Sequence, residues 1–222
     1  MAWHGAENAS LALHHGAWAA LAGDSDTSRA EWADVVTAWS QPHRRYHSLA
    51  HLAAVLGIVA ELADAAADPT AVALAAWYHD VVYDPLRGDD ERASAARARA
   101  GLRGLVDDAT VAEVERLVLL TAGHDPAPDD ANGAVLCDAD LAVLAGPPAA
   151  YAAYASAVRE EYGHFSDADF TAGRIAVLEQ LLALPALYRL PVTAERWTAP
   201  ARANLTAELT LLRARSAAAG AS

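Results

Sequence analysis

Apolar residues recur along this chain at intervals of three and four, the spacing that lines one side of an α-helix. In LAHLAAVLGIVAEL the set His51, Val55, Ile58 and Leu62 falls at i, i+4, i+7 and i+11, so a histidine heads an inward stripe. In AVALAAWYHDVV the set Val72, Ala75, His79 and Val82 shares a second stripe, with Asp80 on its flank. VAEVERLVLL carries a third, behind an Asp107–Asp108 cap. Asp68-Pro69-Thr70 and Ser166-Asp167-Ala168-Asp169 read as further helix starts. No segment alternates convincingly with a period of two. VVTAW and AVLCDADL fit short strands no better than they fit helices.

Turn-forming residues interrupt the stripes at Gly23–Ser25, Gln41–His43, Asp68–Pro69, Pro85–Asp89, Gly101–Gly104, Gly123–Asp130, Gly146–Pro148, Gly163–Asp167, Pro185 and Pro191. The pattern predicts an all-α fold, one domain over 1–222 built from roughly eight to eleven helices. There is no internal repeat and no linker. The tail RARSAAAGAS is expected to fray.

Composition agrees, because an alanine-rich chain with 54% hydrophobic residues favours helix over sheet. The formal charge is −13, and all sixteen basic residues are arginine. Without lysine there is no Schiff base, no lysine general base and no Walker-type phosphate lysine. An acidic chain suits neither a nucleic-acid duplex nor an anionic membrane; a small anionic substrate needs only a local cationic pocket. The one cysteine, Cys137, excludes an internal disulfide and a thiolate zinc cluster. The opening MAWHGAENASLALHHGAW lacks the features of a secretory signal, and no uncharged stretch is long enough to span a bilayer. The expectation is a soluble cytoplasmic protein.

Nine histidines are spread unevenly. His43, His47 and His51 fall in QPHRRYHSLAH, His79 in AAWYHD and His124 in TAGHDP; Asp138 and Asp140 sit among apolar residues in LCDADLAVLAG. Taken singly, each has a plain explanation: a hydrogen-bonded core histidine, a chance His-Asp pair, a helix cap. Taken together, two or three inward histidines meet two inward aspartates, Asp80 and Asp140, from separate helices. An ionised carboxylate in an apolar interior is costly unless paired. Neutral imidazoles do not balance two of them; the chain has no lysine, and no arginine lies within the apolar helical stripes that carry these residues. One divalent ion does; nitrogen and oxygen ligands without thiolate suit Mn, Fe, Co, Ni or Zn, with Mg admitted if water fills the shell.

The order HSLAH, AAWYHD, DADL resembles the HD-domain superfamily of metal-dependent phosphohydrolases. RRYHSLAHL, YHDVVYDPLRGDDERASA, TAGHDP, LCDADLAVLAG and YAAYASAVREEYGHF together resemble a bacterial branch of predicted HD phosphohydrolases, from about Arg44 to Arg174. The resemblance implies an all-α helical bundle, with its core motifs from about residue 43 to 175 and a metal at its centre. The ligands it implies are His51, His79, Asp80 and Asp140. His47 also precedes a Ser-Leu, but the apolar helix follows His51 at once. Asp140 matches the family's "AD" before an apolar residue, which leaves Asp138 to the substrate or to a place behind the ligands; the reverse assignment stays open. The Val-Val-Tyr-Asp after the His-Asp pair departs from the acidic pair of nucleotide-hydrolysing relatives. Of the two further histidines of binuclear members only His124 fits, so one metal is expected.

The implied activity is hydrolysis of a small phosphate ester or nucleotide by metal-activated water. Asp84 and His47 are the candidates for proton transfer. Against those roles, Asp84 is equally a turn residue before Pro85, and His47 an orienting partner of a ligand. Arg45, His124 and Asp138 are assigned to the substrate side, with Arg44 taken as a solvated charge at a helix start. Glu91 reads as part of a capping box, and Arg159 as a buried structural partner of an acid. Two other functions share the fold: a di-iron HD-type oxygenase, and a non-catalytic metal- or ligand-binding HD protein. Alanine-rich outer helices leave a homodimer open.

Overall fold

Ten α-helices and no strand occur among the described residues, 14–220 of a computed structural model. They are α1 (His15–Ala22), α2 (Asp26–Trp39), α3 (Leu49–Glu61), α4 (Pro69–Tyr78), α5 (Asp90–Leu102), α6 (Asp108–Leu120), α7 (Ala131–Asp140), α8 (Pro148–Glu161), α9 (Asp167–Ala183) and α10 (Pro191–Gly220). The all-α expectation holds, and VVTAW and AVLCDAD both lie inside helices, α2 and α7. No single helix among the described residues is long and apolar enough to cross a membrane. Most of the opening segment read for a secretory signal lies outside the described residues. The chain forms two compact units, Met1–Ala139 and Asp140–Ser222, divided in the last turn of α7.

The first unit is built around α4. Ala71, Val72, Leu74, Ala75, Ala76, Trp77 and Tyr78 are all buried, so this helix is apolar on every side, as a core helix is. Its start follows from sequence: the Asp68 carboxylate accepts from the Ala71 N–H at 2.9 Å, and Pro69 occupies the first turn. α1, α3, α5 and α6 pack on it.

The end of α4 departs from the pattern. The stripe Val72, Ala75, His79, Val82 continues for one more turn, yet the helix stops at Tyr78. Side chains take the main-chain groups that another turn would have used. His79 Nδ1 bonds the Ala76 carbonyl at 2.8 Å. Arg44 donates to the carbonyls of Asp80 and Val81 at 2.8 and 3.0 Å. The Ser94 hydroxyl accepts from the Val82 N–H and donates to the Val82 carbonyl, at 3.0 and 3.1 Å. Helix ends leave such groups orphaned, and here His79 itself and two distant residues, Arg44 and Ser94, satisfy them.

Tyr78, the residue before His79, is anchored separately. Its hydroxyl donates to Glu31 at 2.6 Å, and Arg97 forks onto the same carboxylate at 2.6 and 3.0 Å. Burial pushes the Tyr78 phenol well above its ordinary value, and the Glu31 charge adds to the shift, so it stays a donor. Gly101 makes room for this pair, because a Cβ there would collide with the Glu31 and Arg97 side-chain ends. The capping box suggested by Glu91 is not formed at the N-cap, since Asp89 makes no side-chain cap bond to α5.

α7 is fixed at its start by a charged network. Asp130 accepts from the Gly133 N–H at 2.8 Å and from both Arg116 Nη atoms at 2.7 and 3.0 Å. Arg116 also clamps Glu113, which accepts from Asn132, whose own carbonyl accepts from the Asp68 N–H. The hydrogen bond from Arg116 holds the Glu113 carboxyl below its ordinary 4.5, with Asn132 assisting. At Asp130 burial opposes ionisation, but Arg116 and the Gly133 N–H outweigh it and hold the group below 3.8. Depressed acids stabilise the fold above their ordinary values and lose that contribution as pH falls through the folded values. Arg116→Gln is therefore expected to lower Tm at neutral pH, by an amount that shrinks as pH falls below about 4. Thermal melts of both proteins from pH 7 to pH 2 check this; a pH-independent gap would contradict it.

The second unit comprises the 3₁₀ turn Leu141–Ala145 with α8, α9 and α10. Its core gathers Leu141, Leu144, Tyr151, Leu178, Tyr188 and Leu205. Asn204 donates to the carbonyls of Leu144 and Gly146, both at 2.9 Å, and the Tyr188 hydroxyl donates to Leu141 at 2.9 Å. α10 runs for 30 residues across Pro200 to Gly220, so the helix takes in the part of the RARSAAAGAS tail that lies among the described residues. Alanine and arginine, which dominate its last turns, are among the strongest helix formers.

Candidate metal centre

Two of the candidate ligands sit where chain segments leave or enter a helix. Ser48 is extended (φ −121°, ψ 178°) and α3 begins at Leu49, which puts His51 in the first turn, 5% exposed. His47 therefore precedes α3 and is not on its stripe. His79 follows the last turn of α4 and is 1% exposed. The Trp39 ring packs beside both imidazoles, its centroid 6.2 Å from His51 and 5.3 Å from His79.

The His79 ring is oriented by its bond to the Ala76 carbonyl. A carbonyl only accepts, so Nδ1 carries the hydrogen and Nε2 of the neutral ring presents a lone pair. That Nε2 lies 3.2 Å from His51 Nε2. Asp80 Oδ2 lies 3.3 Å from His79 Nε2 and 3.9 Å from His51 Nε2. Asp140, the last residue of α7, completes the set: His51, His79 and Asp140 each offer one ligand atom, and the three atoms lie within 4.8 Å of one another.

This arrangement fits a divalent ion. Two imidazole nitrogens held at the usual distance from one ion stand about 3.0–3.4 Å apart for bond angles between square and tetrahedral. The observed 3.2 Å falls in that interval. The same spacing also allows an N–H···N bond when no ion is present. The donors are nitrogen and carboxylate oxygen, which admit several first-row metals and do not choose among them.

The other sequence candidates are placed as follows. Asp138 is fully buried in α7; residues two apart on a helix do not share a face, and it is Asp140 that joins the histidines. His47 stacks on Tyr83 at 4.2 Å between centroids and stands edge-on to His51 at 6.0 Å, so it flanks the centre. Asp84 Oδ1 accepts from the Leu86 N–H at 3.0 Å, closing a turn around Pro85. Arg45 is exposed and donates to the Pro42 and Arg44 carbonyls at 2.6 and 3.3 Å, bracing its own loop. His124 terminates α6 in the left-handed region (φ 50°), with its N–H bonded to the Leu120 carbonyl at 3.0 Å.

Two readings of arginines are corrected. Arg159 does pair with an acid, Asp167 at 2.6 Å, but that acid is almost fully exposed. Arg44 is no solvated charge: it is 5% exposed, with its guanidinium 5.2 Å from the Trp39 ring and 5.5 Å from the Tyr83 ring. Its donors reach the carbonyls of His47, Asp80 and Val81. Nothing in QPHRRYH distinguishes Arg44 from Arg45; the one available hint is an arginine within reach of nearby aromatic residues.

No family model matches this chain, and no curated protein or solved structure matches it. The likeness to the HD phosphohydrolases rests on the motifs themselves.

Proposed function

We propose that this chain is a metal-dependent phosphoric ester hydrolase acting on a small anionic substrate. The observation behind this reading is the meeting of His51 and His79 Nε2 at 3.2 Å with the carboxylates of Asp80 and Asp140 around them. A divalent ion held by these four residues supplies a Lewis acid and brings the pKa of water toward neutrality. The residues around it divide the remaining work. Ala76 fixes the His79 tautomer through its carbonyl. His47, stacked on Tyr83 beside His51, is our candidate for giving a proton to the leaving oxygen. Asp84 spends one carboxylate oxygen on its own turn, which makes His47 the better proton donor of the two.

The test begins with elemental analysis of the protein as purified. About one divalent ion per chain is expected, in line with a mononuclear site. Protein reloaded with Mn, Co, Ni, Zn or Mg is then expected to cleave an aryl phosphate or a nucleoside monophosphate, and chelator to abolish that cleavage. A chain that carries no metal and takes up none refutes the proposal.

A further inference from the structure

We infer that Arg44 is a positioning residue that sets the separation of His51 and His79, and so the affinity of the centre for its ion; this rests on the metal-site reading above. Arg44 belongs to the segment leading into α3, seven residues before His51. Through Nη1 it holds the His47 carbonyl at 2.9 Å, on its own segment. Through Nη1 and Nη2 it holds the carbonyls of Asp80 and Val81 at 2.8 and 3.0 Å, on the segment that follows His79. One planar group therefore ties the two ligand-bearing segments together, 36 and 37 residues apart in sequence.

The tie is rigid for two reasons. A guanidinium offers its donors in a fixed fork, whereas an ammonium is a single point that turns freely. The group also lies against both Trp39 and Tyr83, at 5.2 and 5.5 Å, and those rings pack in turn on the ligand histidine His79 and on His47. The same bonds draw the Asp80 and Val81 carbonyls out of helical register, which turns the Asp80 side chain toward both imidazoles.

Cobalt(II) binding to the full chain tests this, read by calorimetry and by the visible ligand-field spectrum. Arg44→Ala strands three carbonyls and risks unfolding, so Arg44→Lys is the main variant: it keeps the charge beside the rings and loses the fork. Its affinity for cobalt is expected to fall about 10–100-fold, the usual effect of losing a group that orients a ligand. Its cobalt spectrum is expected to shift, and its helical circular dichroism to stay unchanged. Tyr83→Leu, which removes one aromatic ring beside the guanidinium and leaves all of the Arg44 N–H groups, is expected to shift both readouts in the same direction by less. If the wild type binds cobalt and Arg44→Lys binds it equally, with the same spectrum, this inference fails and the metal site stands. If the wild type binds no cobalt, the metal-site reading fails and takes the inference with it.

Discussion

His79→Ala is expected to strip the protein of most of its divalent metal while leaving its helix content nearly intact. The substitution removes Nε2, which lies 3.2 Å from His51 Nε2 and 3.3 Å from Asp80 Oδ2. His51, Asp80 and Asp140 remain, but the set loses the imidazole that the Ala76 carbonyl orients. The affinity loss should exceed the roughly 10–100-fold that follows from disturbing an orienting partner alone. A stability cost accompanies it, since the Ala76 carbonyl loses its partner and a nearly sealed ring volume empties; about 1–3 kcal/mol is expected for the unpaired carbonyl. Asp80→Ala should also lose most of the metal, at a smaller cost in stability because that side chain is 19% exposed. Metal content per chain, with a titration of the metal-free protein, separates the two effects. Full retention of metal by either variant would sink the ligand assignment.

Arg174→Met is expected to destabilise the second unit by about 3–5 kcal/mol, the range found when one partner of a buried ion pair is removed. Arg174 forks onto Glu208 at 2.8 and 3.0 Å, with the two side chains only 6% and 13% exposed. Arg174 also donates to the Tyr154 hydroxyl at 3.2 Å, and Tyr151 donates to the same Glu208. Burial pushes both phenols up, with the Glu208 hydrogen bond adding to the shift of Tyr151, so neither tyrosine supplies or neutralises charge at neutral pH. With the guanidinium gone, the Glu208 carboxylate keeps only the tyrosine bond. The double variant Arg174→Met/Glu208→Leu removes the charge as well and is expected to recover most of the loss, because apolar replacement of a whole buried pair is often neutral. Urea denaturation of the two variants and the wild type decides it. A double variant no better than the single one would show that the cost lies in packing rather than in stranded charge.

How much of this was legible in the sequence depends on how far apart the causes lie. The helices, the caps at Asp68, Asp107 and Ser166, and the inward faces of His51 and His79 follow from local spacing. The ordered run of histidine, His-Asp and aspartate carried the candidate ligands, and His51, His79 and Asp140 do meet. What was hidden depends on partners far along the chain. The early end of α4 is set by Arg44 and Ser94, neither of which belongs to that helix. The burial of Arg44 depends on Trp39 and Tyr83, and on carbonyls more than thirty residues away. Arg174 and Glu208 look like surface charges on amphipathic helices until α9 and α10 are laid together.

The burial of α4 from Leu74 to Tyr78 has one further consequence. Beyond its exposed first turn the helix has almost no wet face and no partial opening that spares its neighbours, so its main-chain amides from Leu74 onward are expected to exchange with deuterated solvent only when the surrounding unit comes apart. Because His79 rides on the end of that helix, its ring keeps its aim for as long as the unit itself stays closed.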